Sequence, residues 1–518
     1  MRKSSWHNVR YGSQRIVMRR NVISGYLSQA YVSLVAVAVL PVYIDKMGAE
    51  AYGLVGFFAM LQVIFNLLDF GLTPTVSRET ARFSSGCLPP LNYAKILRAF
   101  ELLFVFIALA GGLLIVILSK QISIAWLDPD SLSSADVQFS VMIMGVIVSL
   151  RWLGGLFRGV ISGVENLVWL AAFNAGMGTL RFVGVIPVMI LYGFDTNVFF
   201  FYQLLVAMFE ILLLLRKKMS IAPLARDLAE PVGYSLAPLR PVLGFSMTIA
   251  VTAMIWVLVT QLDKLILSNL LPLSEYGYYS FAVMAASVVL LISGPVGTAL
   301  MPRLARLHAE ARQVEIDRLY AVMVQVVVLV TGSVALMLAF HADTVVRFWS
   351  GSNELAAKVA PILQLYAVGN LLLAISSFPY YMQYAQGRLK LHLIGHLLML
   401  FLLVPSMIWA TTGYGVYGAA CVWLAFNAIY FLVWVPVVHH YCWRGRHLDW
   451  LVVNVIPVLM PVVIFNWLIS MFEVDWGSRL LEGAFLLAAG LGSLLVGASG
   501  SSVVRDALFK KFRDGGGK

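Results

Sequence analysis

Fourteen uninterrupted apolar runs, each long enough to cross a lipid bilayer, dominate this chain. A bilayer core of about 30 Å requires about 20 apolar residues per helix. A membrane β-barrel would instead show alternating segments of about 10 residues, and these runs are too long and too continuously apolar for that. We therefore predict an all-α, polytopic membrane protein with 14 transmembrane helices, at residues 22–44, 53–76, 95–119, 137–161, 167–192, 197–215, 242–268, 276–300, 319–341, 357–384, 389–411, 416–438, 450–471 and 480–499.

Composition supports a lipid environment and excludes soluble, collagen-like, disordered and disulfide-rich proteins. Apolar residues make up 60% of the 518 residues and charged residues only 12%, whereas soluble domains carry about 25% charged residues. The three cysteines form no disulfide framework. The first 20 residues are basic, but the apolar run after them is full length and lacks a small-residue cleavage site. This run predicts a first transmembrane helix rather than a signal peptide.

The distribution of positive charge predicts the orientation of the chain, because Lys and Arg are enriched in cytoplasmic loops. Of the 37 Lys and Arg residues, 29 lie on the side of the two termini, 5 lie on the opposite side and 3 lie inside spans. A missed helix would invert every later loop and remove this asymmetry. We therefore place both termini in the cytoplasm. The net charge of +11 follows from this topology and does not indicate nucleic-acid binding.

Two halves of the sequence share features at a constant offset. The pair Tyr52-Gly53 recurs as Tyr276-Gly277, and Gly163 recurs as Gly387, both 224 residues later. Six predicted helices separate equivalent points, so the halves form a parallel repeat, as in transporters with two six-helix lobes. The predicted divisions are a basic cytoplasmic tail 1–20, an N-lobe 21–216, a cytoplasmic linker 217–240, a C-lobe 241–443, an extra helix pair 444–500 and a basic cytoplasmic tail 501–518.

Charged residues inside predicted spans are the first candidates for a functional site. An Arg or Lys at mid-bilayer costs roughly 2.5–3.5 kcal/mol on insertion scales, so it faces a cavity, a partner or an interface. Arg151 and Arg181 lie near mid-depth of helices four and five, and Lys264 lies in the outer part of helix seven. The acidic candidates are Asp69 and Asp263, which we assign to ion coupling.

Each of these residues also has a purely structural interpretation. Polar residues inside membranes often only join helices. Asp263 beside Lys264 is compatible with a self-neutralising pair, and Asp69 is compatible with a fixed ion pair to a nearby arginine. Arg158 is predicted to extend its head group to the membrane interface.

Polar side chains recur at helical spacing along several predicted spans. Since lipid offers no hydrogen-bond partners, such stripes face protein or water, and both halves contribute them. They indicate a hydrated lumen between the halves. The predicted substrate-binding set is completed by Asn66 on helix two and by Asn370 and Tyr380 on helix ten. The stripe on helix two comprises Gln62, Asn66, Asp69 and Thr73.

Other motifs point to packing rather than to chemistry. Gly155, Gly159 and Gly163 form a doubled GxxxG pattern on helix four, which predicts close approach of a neighbouring helix. No catalytic constellation and no metal-site spacing stands out. We therefore predict no cofactor and no metal.

Five short segments are informative about the family: 40–43 (LPVY), 48–53 (GAEAYG), 68–72 (LDFGL), 262–268 (LDKLILS) and 276–280 (YGYYS). They resemble segments of Wzx-type polysaccharide flippases of the multidrug/oligosaccharidyl-lipid/polysaccharide (MOP) exporter superfamily. The resemblance implies a bacterial inner-membrane protein whose two lobes form a V. It also implies that a polyprenyl-diphosphate-linked oligosaccharide, an O-antigen or exopolysaccharide repeat unit, moves from the cytoplasmic to the outer leaflet by alternating access. Arg151, Arg181 and Lys264 fit the cationic residues that engage the diphosphate in such proteins.

Three functions stay open at this point. The first is the glycolipid flippase, and the extra helix pair also resembles lipid II flippases. The second is a cation-coupled multidrug exporter of the same superfamily, for which the excess of basic residues is unfavourable. The third is a polyprenyl-dependent glycosyltransferase or polymerase, although its large outer loop is missing here. The expected partners are the lipid-linked oligosaccharide, membrane lipid, H⁺ or Na⁺ as a coupling ion, and other polysaccharide-assembly proteins.

Overall fold

Helices account for all the regular structure in the part of the chain that is described. The computed structural model describes residues 23–69, 71–221, 233, 235–239, 254, 257–443, 446–472 and 478–505. In chain order the helices are α1 Ile23–Met47, α2 Ala49–Leu67, α3 Leu72–Ser84, α4 Pro90–Leu127, α5 Ser134–Gly163, α6 Leu167–Tyr192, α7 Thr196–Met219, α8 257–270, α9 Leu273–Ala286, α10 Val288–Ala309, α11 Gln313–Phe340, α12 Ala342–Ser350, α13 Asn353–Ala385, α14 Lys390–Cys442, α15 His447–Ser470 and α16 Arg479–Gly500.

The chain is a multi-pass membrane protein. Among the described residues, 12 helical segments are long and apolar enough to cross a membrane. One of them, α14, contains 53 residues, which at 1.5 Å per residue is about 80 Å and far exceeds one bilayer core. It contains the predicted span 416–438 and all but the first residue of the span 389–411, and Gly415 interrupts it with φ 59° and ψ −146°. The predicted span 242–268 lies largely outside the described residues.

The second predicted helix is broken, which corrects the single span predicted at 53–76. Helix α2 ends at Leu67, and α3 begins at Leu72. Gly71 lies between them with φ 71°, a left-handed conformation that glycine adopts without steric penalty. The predicted polar stripe therefore does not continue along one helix beyond Asn66.

Residue contacts divide the chain into two compact units, of which unit one ends at Ser274 and unit two begins at Glu275. The predicted lobes and their repeat stay predictions. In unit one, α5 packs against α3, α4 and α7. A Cβ atom added to Gly163 would lie 2.5 Å from the Ser77 carbonyl oxygen, and one added to Gly159 would lie 3.0 Å from that of Thr73. The predicted close packing through the GxxxG pattern is confirmed, with α3 as the neighbour.

In unit two, α13 packs against α10, α11 and α14, and it supplies much of the buried core. The two C-terminal helices, α15 and α16, pack against α11 and each other. The buried amide of Gln325 on α11 donates to Asn454 Oδ1 at 2.9 Å and accepts from Ser501 at 2.8 Å. The extra helix pair is therefore tied to unit two by polar as well as apolar contacts.

Candidate anion-binding cavity

A cavity of about 540 Å³ lies inside unit one, between α1, α2, α5 and α6. Apolar side chains such as Val32, Phe65 and Met177 form part of its wall. Three arginines, Arg151, Arg158 and Arg181, also line it. Its uncharged polar lining consists of Ser28, Gln29, Ser33, Gln62, Asn66 and Asn174. The sequence analysis selected Arg151, Arg181 and Asn66 independently, and the fold brings these three to one cavity.

Arg151 on α5 is fixed by two neighbouring helices. Its Nη1 donates to Gln62 Oε1 on α2 at 2.7 Å, and its Nη2 donates to Gln203 Oε1 on α7 at 2.8 Å. Its guanidinium carbon lies 5.3 Å from the centre of the Phe58 ring, within the range of a cation–π contact. Gln203 also donates its amide to the Arg181 carbonyl oxygen at 2.8 Å.

The other two arginines share one carboxylate. Arg158 donates to Oε1 of Glu210 and Arg181 donates to Oε2, so Glu210 on α7 joins α5 and α6. The Glu210 side chain is 2% exposed, whereas those of Arg158 and Arg181 are 25% and 21% exposed. The head group of Arg158 bonds to a buried carboxylate on the neighbouring helix, and its place at the membrane interface stays a prediction.

Electrostatics make this cavity suited to an anion. Three guanidinium groups against one carboxylate leave a net charge of +2, and arginine keeps its charge at any physiological pH. Within the part of the chain that the structure describes, the Nε atoms of Arg151 and Arg181 are buried and have no hydrogen-bond partner. Buried donors are normally satisfied, so these two N–H groups leave unused hydrogen-bonding capacity in two of the arginines that line the cavity.

The local sequence explains how α5 and α7 meet. Arg151 and Arg158 are seven residues apart, as are Gln203 and Glu210, so each pair lies on one helix face. The bonded pairs Arg151–Gln203 and Arg158–Glu210 have the same sequence separation of 52 residues. Two helices that pack side by side in the same direction give this register.

The two ionisable residues predicted on the seventh helix form a pair with each other. Lys264 Nζ lies 3.5 Å from Asp263 Oδ1 and donates to the Thr260 carbonyl oxygen at 3.0 Å. Asp263 is buried, with 1% of its surface exposed. This geometry agrees with the structural interpretation, in which the charges of Asp263 and Lys264 neutralise each other. Neither residue lines the cavity of unit one.

The predicted residues of helix ten lie in unit two. Asn370 is buried, donates to the Ala286 carbonyl oxygen at 3.0 Å and accepts from Trp423 Nε1 at 3.2 Å. Because Asn370 is buried, a glycan contact requires the side chains that cover it to move. Tyr380 is half-buried, and its ring centre lies 4.3 Å from that of His392 and 6.4 Å from that of Tyr384.

Asp69 caps a helix. Both its carboxylate oxygens accept from the backbone N–H of Thr73, at 3.1 and 3.3 Å, and Oδ1 also accepts from the Thr73 hydroxyl at 2.6 Å. These bonds satisfy donors at the start of α3. The predicted coupling role would have to operate through a carboxylate that already stabilises this helix start.

Sequence reasoning missed Glu210 and Gln203 as site residues and did not assign Arg158 to the cavity. The signal was present, because both members of each seven-residue pair occupy one helix face. It becomes visible only when α5 and α7 are known to be neighbours, which the sequence alone does not state.

Comparison with known proteins gives a family and a set of relatives. The family described as "Polysaccharide biosynthesis protein" matches residues 18–308, more than half of the chain. A putative O-antigen transporter of Shigella flexneri is 20% identical over 408 residues, which covers 78% of this chain and 93% of that protein.

Solved structures show the same fold at low sequence identity. A structure of lipid II flippase MurJ in an inward closed conformation superposes with a TM-score of 0.70 at 15% identity, covering 94% of this chain and 99% of that chain. An inward-facing multidrug resistance MATE family transporter of the MOP superfamily gives a TM-score of 0.64 at 11% identity, covering 80% and 98%. The prediction of an all-helical transporter fold is confirmed.

Proposed function

Since the chain belongs to the polysaccharide biosynthesis protein family, we propose that it is a flippase for a polyprenyl-diphosphate-linked oligosaccharide. The lipid-linked glycan would move from the cytoplasmic to the outer leaflet by alternating access. The Shigella relative, a putative O-antigen transporter, supports an O-antigen or exopolysaccharide repeat unit as the cargo.

One observation carries this proposal: three arginines line a single cavity between helices that are long and apolar enough to cross a membrane. A diphosphate diester is a dianion whose oxygens match the planar, multidentate donors of guanidinium groups. Arg151 and Arg181 both line this cavity, and their Nε donors have no hydrogen-bond partner among the described residues. The amides of Gln62, Asn66 and Asn174 are suited to sugar hydroxyls.

The competing functions fit less well. A multidrug exporter of the MATE type shares the fold, but a cationic drug would be repelled by a cavity of net charge +2. The relatives reported above are named as transporters or flippases, which favours transport over a polyprenyl-dependent glycosyltransferase or polymerase.

The proposal includes a topology. Dividing α14 at Gly415 and adding the predicted span 242–268 to the 12 helical segments gives 14 crossings. The charge asymmetry then places both termini in the cytoplasm of a bacterial cell, with the protein in its inner membrane. Two lobes of six helices and the C-terminal pair α15–α16 would be the functional divisions. Other polysaccharide-assembly proteins are the proposed partners.

The remaining predicted residues have secondary roles in this proposal. Tyr380 would stack on a sugar ring, and Asn370 would bind a hydroxyl once the side chains that bury it move. Lys264 would assist the arginines, and Asp69 and Asp263 would respond to H⁺ or Na⁺.

Transport in proteoliposomes tests the function directly. Vesicles loaded with undecaprenyl-diphosphate oligosaccharide in the inner leaflet are expected to expose glycan to an external glycosidase when the protein is present. Arg181→Gln, which can still bond to Glu210, should slow this exposure at least tenfold. A tenfold change corresponds to the loss of roughly one charge-assisted hydrogen bond to phosphate. Arg98→Gln, which removes an arginine outside the cavity, is the matched control. Exposure no faster than in empty vesicles would overturn the proposed function.

A further inference from the structure

Glu210 lies behind the arginines rather than among the groups that face the cavity. Arg158 and Arg181 both line the cavity, and Glu210 is absent from its described lining. Each carboxylate oxygen accepts from one guanidinium, so a single buried side chain holds two arginines from different helices. The carboxylate occupies one face of the arginine pair and leaves the cavity face open.

Helix α7 therefore acts as a common support for all three arginines. Gln203 lies about two helical turns before Glu210. It accepts a hydrogen bond from Arg151 and donates one to the carbonyl oxygen of Arg181. Both residues are buried, at 2% and 3% exposed. Buried side chains with satisfied bonds have few alternative conformations, so the guanidinium groups are held in fixed relative positions.

We propose that Glu210 is a positioning residue that makes the cavity selective for a diphosphate over a monophosphate. The inference rests on the proposed function, because it concerns the same site. A diphosphate presents two phosphate groups to two guanidinium groups, and it benefits from their fixed separation. A monophosphate needs only one of them, so its binding depends much less on how Arg158 and Arg181 are placed.

A purely electrostatic role for Glu210 predicts the opposite result. Neutralising Glu210 raises the net charge of the cavity from +2 to +3. Coulomb attraction scales with ligand charge, and undecaprenyl diphosphate carries about one more negative charge than undecaprenyl phosphate. The diphosphate therefore gains more, and selectivity for it increases. Loss of positioning lowers that selectivity. The sign of the change separates the two roles.

The experiment measures binding of undecaprenyl diphosphate and undecaprenyl phosphate to the full-length protein in nanodiscs. The readout is the ratio of the two dissociation constants, since a change in the amount of folded protein affects both equally. Glu210→Gln is expected to lower the preference for diphosphate about tenfold, the loss of roughly one charge-assisted hydrogen bond. Glu101→Gln is the matched control, because Glu101 is also a paired glutamate of unit one but lies outside the cavity.

Glu210→Asp keeps the charge and shortens the side chain, so it cannot reach both guanidinium groups in the same geometry. Glu210→Asp is also expected to lower the preference for diphosphate. If Glu210→Gln does not fold, Glu210→Asp tests the positioning role by itself. A preference for diphosphate that is unchanged or increased in the folded variants would overturn the positioning role. Wild-type protein that binds neither lipid would instead overturn the proposed function itself.

Discussion

Arg151→Lys separates charge from geometry in the cavity. The wild-type guanidinium donates to Gln62 at 2.7 Å and to Gln203 at 2.8 Å, and so joins α5 to α2 and to α7. A lysine keeps the positive charge but ends in a single nitrogen atom on a flexible stem. It can form one of the two bonds in its present geometry, and it loses the planar donor edge that suits phosphate.

The size of the effect follows from the bonds that are lost. Hydrogen bonds between membrane helices contribute about 0.6 kcal/mol on average and at most about 1.7 kcal/mol. We expect Arg151→Lys to lower the free energy of unfolding by one such bond and Arg151→Ala by two, about 1–3 kcal/mol. We expect partial export for Arg151→Lys and none for Arg151→Ala. Export should fall by more than the loss of stability alone would cause, because bidentate recognition of phosphate is also lost.

The assay is surface glycan in a strain that depends on this protein, with the amount of membrane-inserted protein measured alongside. Arg347→Lys is a matched control, because Arg347 donates to Glu482 and to Asp343, each at 2.7 Å, outside the cavity. It should lose comparable stability and keep full export. Full export by Arg151→Ala at normal protein level would remove Arg151 from the mechanism, and full export by Arg151→Lys would show that charge alone suffices.

Three further predictions concern topology, packing and coupling. Cysteine at Ser133 should react with an impermeant thiol reagent from outside the cell and cysteine at Arg312 only after permeabilisation; the reverse pattern would refute the orientation. Gly163→Ala places a Cβ 2.5 Å from α3 and should cost about 1–3 kcal/mol in thermal unfolding, whereas Gly176→Ala meets open space and should not. Asp69→Asn can still cap α3, so it should fold and bind substrate but lose the response of transport to an imposed ion gradient. Gradient-driven transport at the wild-type rate would exclude Asp69 as the coupling group.

Much of the membrane architecture could be predicted because it depends on local sequence. Hydrophobic length predicts spans, and the charge asymmetry predicts their direction, without knowledge of neighbours. The GxxxG pattern of α5 predicted a close neighbour for the same reason. The break at Gly71 escaped prediction because hydropathy does not report backbone conformation, and one left-handed residue ends a helix within an apolar run.

The candidate site was predictable only in part, since it depends on which helices are neighbours. Arg151 and Arg181 were identifiable from the cost of charge at mid-depth alone. Arg158 was not assigned to the site because an arginine near a predicted helix end can reach the membrane interface. Its partner Glu210 comes 52 residues later on α7, and only tertiary packing brings the two together.

The dependence of two arginines on one later glutamate has a consequence for how the protein enters the membrane. The chain emerges from the ribosome in order, so α5 and α6 bring Arg158 and Arg181 to the bilayer before α7 brings Glu210. An unpaired arginine at the centre of a helix, where Arg181 lies, costs roughly 2.5–3.5 kcal/mol on insertion scales, and one nearer a helix end, such as Arg158, costs less. We expect α5 and α6 to remain at the insertion machinery until α7 arrives, so that the three helices enter the lipid together.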